Sequence, residues 1–293
     1  MILYPPKMNL PKDKQKTFDN IVADLKSIDH VVAVVLGGSF ATGKATENSD
    51  LDIGIYYNGN QPFHITAVKS VAEKYATDQA PTVTDFYQWG PWVNGGAWLQ
   101  TESGKVDFLY RNLDQVTNTI ENAQNGKWDN HYEQQPPYGF SSVIYLAEIE
   151  SCIPAYDKEN TISKLKSAIK NYPAKLKQTI IQEALWSAEF TILNADGFAQ
   201  KEDYYNTFGC ITRALKSIVN ALFAINEKYP IGDKKAIEIL TYETYVPKDF
   251  HSRVNSILIA NKNSLTHNLE ALKALFQDAV RSTNGNYKPL YRF

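Results

Sequence analysis

Val31-Val32-Ala33-Val34-Val35-Leu36-Gly37-Gly38-Ser39 and, after ten more residues, Asp50-Leu51-Asp52-Ile53-Gly54-Ile55-Tyr56-Tyr57 are the stretches on which the reading of this chain turns. The first is a β-branched apolar run halted by two glycines, the pattern of a buried strand ending in a turn. The second alternates apolar residues with others, as a strand does when successive side chains point to opposite faces. That alternation predicts Asp50 and Asp52 on one face, two hard oxygen ligands side by side, which suits Mg²⁺. Gly37 and Gly38 let the backbone approach phosphate oxygens closely, with its amides and the Ser39 hydroxyl as donors.

Working outward, residues 12–28 show helical spacing at Phe18, Ile21, Val22 and Leu25. A helix is expected over 65–75 and a hairpin over 97–100 and 105–110, around Thr101-Glu102-Ser103-Gly104. The hairpin carries Asp107 on a third strand. If that strand lies beside the Asp50/Asp52 strand, a third carboxylate completes a site for two metal ions that bridge an attacking oxygen and a triphosphate. One ion would lower the pKa of an acceptor hydroxyl, and the other would neutralise departing pyrophosphate.

A helix follows over 113–123, and residues 125–139, with Gly126, Pro136, Pro137 and Gly139, read as a linker. The expected domains are therefore 1–125 and 140–293. Beyond the linker the periodicity is helical over 162–172, 174–194, 203–228 and 265–281. The fold class is α+β, a small mixed-sheet domain followed by a C-terminal helical bundle.

Composition narrows the function. Thirty Lys plus Arg against thirty-two Asp plus Glu leave a formal charge of −2, so no basic field exists to hold a long nucleic acid, and a small or localised acceptor is expected. Cys152 and Cys210 lie far apart, without metal-ligand or disulfide-framework spacing, as do the five histidines, His30, His64, His131, His251 and His267. The first residues, with Pro5, Pro6, Lys7 and Pro11, lack the apolar run of a signal peptide, and the longest plain apolar run, 31–36, is too short to span a membrane. A cytoplasmic protein without a membrane partner is expected.

On Gly38-Ser39 followed at this spacing by Asp50-Leu51-Asp52, the chain resembles the DNA polymerase β-like nucleotidyltransferase superfamily over roughly residues 12–125. The resemblance implies Asp50 and Asp52 as metal ligands, Asp107 as third carboxylate and general base, and Gly38 and Ser39, with Gly37 beside them, as triphosphate contacts. A small catalytic domain followed by a helical domain is similar to bacterial antibiotic nucleotidyltransferases, which adenylylate aminoglycoside or lincosamide hydroxyls. That implies transfer of a nucleoside monophosphate, AMP from ATP, to a small-molecule hydroxyl with two Mg²⁺ ions and release of pyrophosphate. The alternatives are a protein or tRNA acceptor, as in antitoxin-type relatives, and a non-catalytic nucleotide-binding module. One departure stands out: many relatives carry an Arg just before the glycine in the helix after Gly-Ser, where this chain has Thr42-Gly43-Lys44. Lys44 could substitute, as a point charge and not a fork.

Two further groups are candidates. On the helix from 203, Phe208, Ile211, Leu215, Ile218, Val219 and Leu222 form an apolar face, while Gly209, Arg213, Lys216 and Asn220 cluster within about 60° elsewhere. Arg213 and Lys216 would suit triphosphate oxygens, and the alternative is a solvated face. The arrangement is similar to the HEPN ribonucleases, but no His follows Arg213 closely, which argues against that activity. Phe86, Tyr87, Trp89, Trp92 and Trp98 crowd the segment before Asp107, either as a stacking wall or, by preference, as buried packing.

Overall fold

A computed structural model describes residues 10–77, 80–259 and 264–291; residues 1–9, most of the stretch expected to lack a signal peptide, lie outside them. Two units emerge, Met1–Glu121 with Ile144–Asn171, and Asn122–Val143 with Tyr172–Phe293.

In chain order the elements are α1 (Lys12–Leu25), β1 (Val31–Leu36), α2 (Gly38–Ala41), β2 (Leu51–Tyr57), α3 (Ile65–Tyr75), β3 (Thr82–Val83), β4 (Gly96–Thr101), β5 (Gly104–Asn112) and α4 (Leu113–Gln124). Two short strands, β6 (Asn130–His131) and β7 (Phe140–Ser141), belong to the second unit. The chain then returns to the first unit through α5 (Val143–Ser151), β8 (Ile153–Asp157) and α6 (Thr161–Ile169).

The first unit is built on a six-stranded sheet of order β3-β4-β5-β2-β1-β8, in which β2 and β5 run parallel and every other pair is antiparallel. Strand alternation divides its residues between two faces. Leu36 of β1, Leu51, Ile53 and Ile55 of β2, and Val106 and Phe108 of β5 join Phe18, Ile21 and Leu25 of α1 and Val68 and Ala72 of α3 in one buried core. The opposite face takes Asp52, Gly54 and Tyr56 from β2, and Asp107, Leu109 and Arg111 from β5. Helix α5 engages the far end of that face: Glu148 accepts from Arg111 Nε at 2.6 Å and Nη2 at 2.7 Å, with the guanidinium 5.5 Å from the Tyr145 ring. Tyr56 is buried there, whereas Asp52 and Asp107 remain half-buried at the near end.

This arrangement corrects the expected domain limits. Residues 144–171 do not join the helical half, because β8 satisfies the free edge of β1, pairing Leu36 with Ile153 and Ala33 with Asp157. Pro154 sits inside β8, where an edge strand tolerates it. The expected linker also has structure of its own: β6, a single 3-10 turn (Tyr132–Gln134) and β7.

The second unit is helical: α7 (Ala174–Gln200), α8 (Tyr204–Ile225), α9 (Ala236–Leu240), α10 (Phe250–Ile257) and α11 (Leu265–Ser282). Asp203 caps α8 by accepting from the Asn206 amide at 3.1 Å. By length and composition α8 could cross a membrane, although polar residues interrupt its apolar run; 61% of its most apolar window is buried inside the protein. Glu189 of α7, fully buried, accepts from the Tyr287 hydroxyl and the Tyr291 amide, tying the C-terminal segment to the bundle.

Glu148→Ala would leave the Arg111 guanidinium buried without its counter-ion, a change that costs about 3 kcal/mol or more. Urea denaturation should show that loss, and pairing Arg111→Met with Glu148→Leu should recover most of it.

Candidate active site at the open end of the sheet

The antiparallel β1–β2 pair and the parallel β2–β5 pair bring the end of β1 and the starts of β2 and β5 to one side of the sheet. Asp52 lies in register with Asp107 on the neighbouring strand. In-register residues of a parallel pair share a face, about 4.8 Å apart along the sheet. Asp50 precedes the strand, which begins at Leu51, so loop geometry and not strand alternation places it. Its charge nevertheless reaches Asp107, whose carboxyl is pushed up to about 6 by burial and then by Asp50, against an opposing pull from Lys105.

The turn after β1 closes over the same spot. Gly38 has φ +58°, and a Cβ there would lie 1.7 Å from Asp52 Oδ2. No other residue fits between the turn and that carboxylate. Gly37 donates its amide to the Asp52 carbonyl at 2.8 Å, so it fixes the turn and does not offer that N–H to a ligand. Ser39 is half-buried in the four-residue α2, whose last turn is tied by the Thr42 hydroxyl to the Gly38 and Ser39 carbonyls, each at 3.2 Å. Lys44 is exposed, its amide bonded to the Ser39 carbonyl at 2.9 Å.

Among the described residues, no three His, Cys, Asp or Glu side chains are already gathered tightly enough to hold a metal ion. What the fold does gather is Asp52 beside Asp107, with Asp50 within electrostatic reach. The donors are all carboxylate oxygens.

The aromatic group divides. Phe86 packs among Tyr57, Phe63 and Tyr110, with ring centroids 4.8, 5.1 and 5.6 Å away, and Trp92 packs on Tyr145, whose hydroxyl donates to the Trp92 carbonyl at 2.6 Å. Tyr87 accepts from Asn112 Nδ2 at 2.7 Å. Trp98 pairs directly across from Asp107, on the same face, and Trp89, 46% exposed, stacks on it at 4.4 Å. The special place of Trp98 within the group escaped the sequence reading, although a two-residue turn at Glu102-Ser103 sets it opposite Asp107.

Arg213 and Lys216 lie in the second unit, where they, Gly209 and Asn220 line a cavity of about 860 Å³. The stripe thus faces a hollow in its own unit, and Lys216 is ion-paired with Asp233.

Residues 18–93 match the family model described as a nucleotidyltransferase domain, and residues 144–235 match one described as a domain of unknown function (DUF4037). The first match spans Gly37 to Asp52 and ends before Asp107. A nucleotidyltransferase-like protein from Exiguobacterium sibiricum 255-15 aligns in structure at 9% identity and TM-score 0.45, over 93% of this chain and 76% of that one. A CCA-adding enzyme in complex with ATP aligns at 9% identity and TM-score 0.29, over 94% of this chain and 84% of that one. No curated protein matches.

Gly38→Ala should lower the urea midpoint well beyond Gly43→Ala: both positions have positive φ, but a Cβ at 43 meets nothing within 4 Å, so the difference isolates the Asp52 clash. In metal-free protein the Asp107 carboxyl should titrate near 6 by NMR, and Asp50→Asn should bring it part of the way toward 3.8, since burial is the larger cause. A raised carboxyl pKa means the folded state holds its proton more tightly. The destabilising contribution of this group is therefore absent below pH 3.8, grows as pH rises, and is complete above about 6.

Proposed function

We propose that this chain, whose residues 18–93 match a nucleotidyltransferase domain, is an enzyme of the DNA polymerase β-like superfamily, that Asp50, Asp52 and Asp107 hold two Mg²⁺ ions, and that it moves AMP from ATP to a hydroxyl of a small, ring-bearing acceptor. The observation that carries this reading is the in-register placement of Asp52 and Asp107 on a half-buried face, with Gly38 folded against Asp52. The donor set fits the ion: the oxygens are hard, and burial, then the charge of Asp50, has already raised Asp107, which a divalent cation would relieve. Bound there, Mg²⁺ would lower the pKa of the acceptor hydroxyl and neutralise the charge of departing pyrophosphate.

The protein groups divide the remaining work by position. Across the open face the order is Gly38 and Ser39 at the end of β1, Asp52 on β2, Asp107 on β5 and Trp98 on β4. The triphosphate belongs on the β1 side, where the Ser39 hydroxyl and the turn can donate to its oxygens. The acceptor then lies on the β4 side, so Asp107 is placed to take its proton and the Trp98–Trp89 pair to hold a ring face. A net charge of −2 favours a small acceptor over a long nucleic acid. The two free thiols, Cys152 and Cys210, accord with a reducing compartment such as the cytoplasm.

Incubation with Mg-ATP and a panel of polyhydroxylated ring compounds should release pyrophosphate and give one adenylylated product. Asp52→Asn and Asp107→Asn should each lower kcat by about 10² to 10⁴. Trp98→Ala should raise the acceptor KM with little change in kcat, while Trp92→Ala should act mainly on stability. Unchanged turnover in both Asp variants would sink the assignment, and label on a macromolecule would move the acceptor to another class.

A further inference from the structure

The cationic stripe of α8 plays no part in the catalytic reading, yet the second unit builds a hollow around it. At about 860 Å³ the cavity falls within the usual range of small-molecule sites. Trp128, Tyr132 and Tyr138 supply aromatic surface, Glu183 a carboxylate, and Arg213 and Lys216 the cations, all from this unit.

The charges are arranged, not scattered. Glu183 accepts from Trp128 Nε1 at 2.6 Å, which fixes that indole at the wall. Lys216 lies 5.7 Å from the Tyr138 ring centroid and is neutralised by Asp233. Arg213 has no ion-pair partner among the described residues and stands exposed at the cavity, so its guanidinium is the cation left to meet an anion. A triphosphate suits this set poorly: one cation is already balanced, and Glu183 would repel additional negative charge. A single phosphate matches the Arg213 fork, and the rings match a flat base.

We infer that this cavity is a second, metal-independent nucleotide site, taking a planar heteroaromatic ring that bears one phosphate, with the ring against Trp128 and Tyr138 and the phosphate on Arg213. Its lining belongs to one unit and includes none of the three carboxylates, which belong to the other.

Calorimetric titration of the full chain with AMP, GMP, CMP and UMP, in EDTA and on an Asp52→Asn/Asp107→Asn background, tests this with the transfer site disabled. At least one monophosphate should bind at one site per chain, more tightly than its nucleoside or triphosphate. Arg213→Ala should weaken it at least about tenfold, Arg213→Lys less, with the nucleoside unaffected by either change. Arg213 is exposed, so an unchanged thermal midpoint should accompany these losses. Failure of all four probes to bind, binding that requires Mg²⁺ or Asp52, or indifference to Arg213→Ala would each overturn the inference. Pyrophosphate release depends on the other unit's carboxylates, so the transferase reading stands or falls separately.

Discussion

Like charges do not gather without help, and the first unit is organised around holding Asp107 beside Asp52 with Asp50 close by. Parallel pairing of β2 with β5 forces Asp52 and Asp107 into adjacent positions whatever their charge. The energy for that pairing comes from the other side of the sheet, where the alternate residues of the same strands are buried against α1 and α3. Slipping β5 by one residue would relieve the repulsion but send Val106, Phe108 and Tyr110 to the wrong face, a far larger loss. The core therefore sets the register, and the register sets the site.

The opposite face shows how one end is made structural and the other left usable. Further along the same strands Arg111 is sealed by Glu148, and Tyr145 lies beneath it. A buried ion pair adds little net stability but strongly disfavours alternatives that separate the partners, so it acts as a locator for α5. With α5 held at the far end, the near end stays half-exposed for chemistry. Gly38 completes the arrangement by permitting a contact with the Asp52 carboxylate that any Cβ would block.

What could be read in advance follows from how local each signal was. β1, β2 and α3 carry their own periodicity and punctuation, and the Gly-Gly-Ser to Asp-Leu-Asp spacing located the carboxylates together. The adjacency of Asp107 needed a long-range pairing that periodicity cannot supply, and it entered as a condition that the parallel register then met. α5 and β8 were missed for opposite reasons: Val143 to Ile149 is apolar nearly all round, with no polar stripe to mark a helix, and Pro154 disguises an edge strand. Glycines and prolines made 125–139 read as a linker, although the same residues shape the turns around β6 and β7. The α8 stripe was legible as a helix face, but its cavity was not, because the facing rings come from residues 128–138, far away along the chain.

The proposed transfer site is poor in cations of its own, and this shapes how a nucleotide would be held there. Lys105 pulls the Asp107 titration downward, Lys44 is exposed, and the turn offers neutral donors. A triphosphate has several negative charges, and neutral donors alone cannot offset their approach to three carboxylates. On the proposed reading the divalent ions must therefore do the neutralising, which makes nucleotide and metal affinity strongly linked. The helical unit has the complementary character, with an exposed guanidinium that has no ion-pair partner among the described residues, aromatic walls and one carboxylate already engaged by an indole. If both proposals hold, a monophosphate needs no metal to be balanced there, and the same chain would separate two kinds of nucleotide by charge alone: the highly charged form where metal is present, the singly phosphorylated form where it is not.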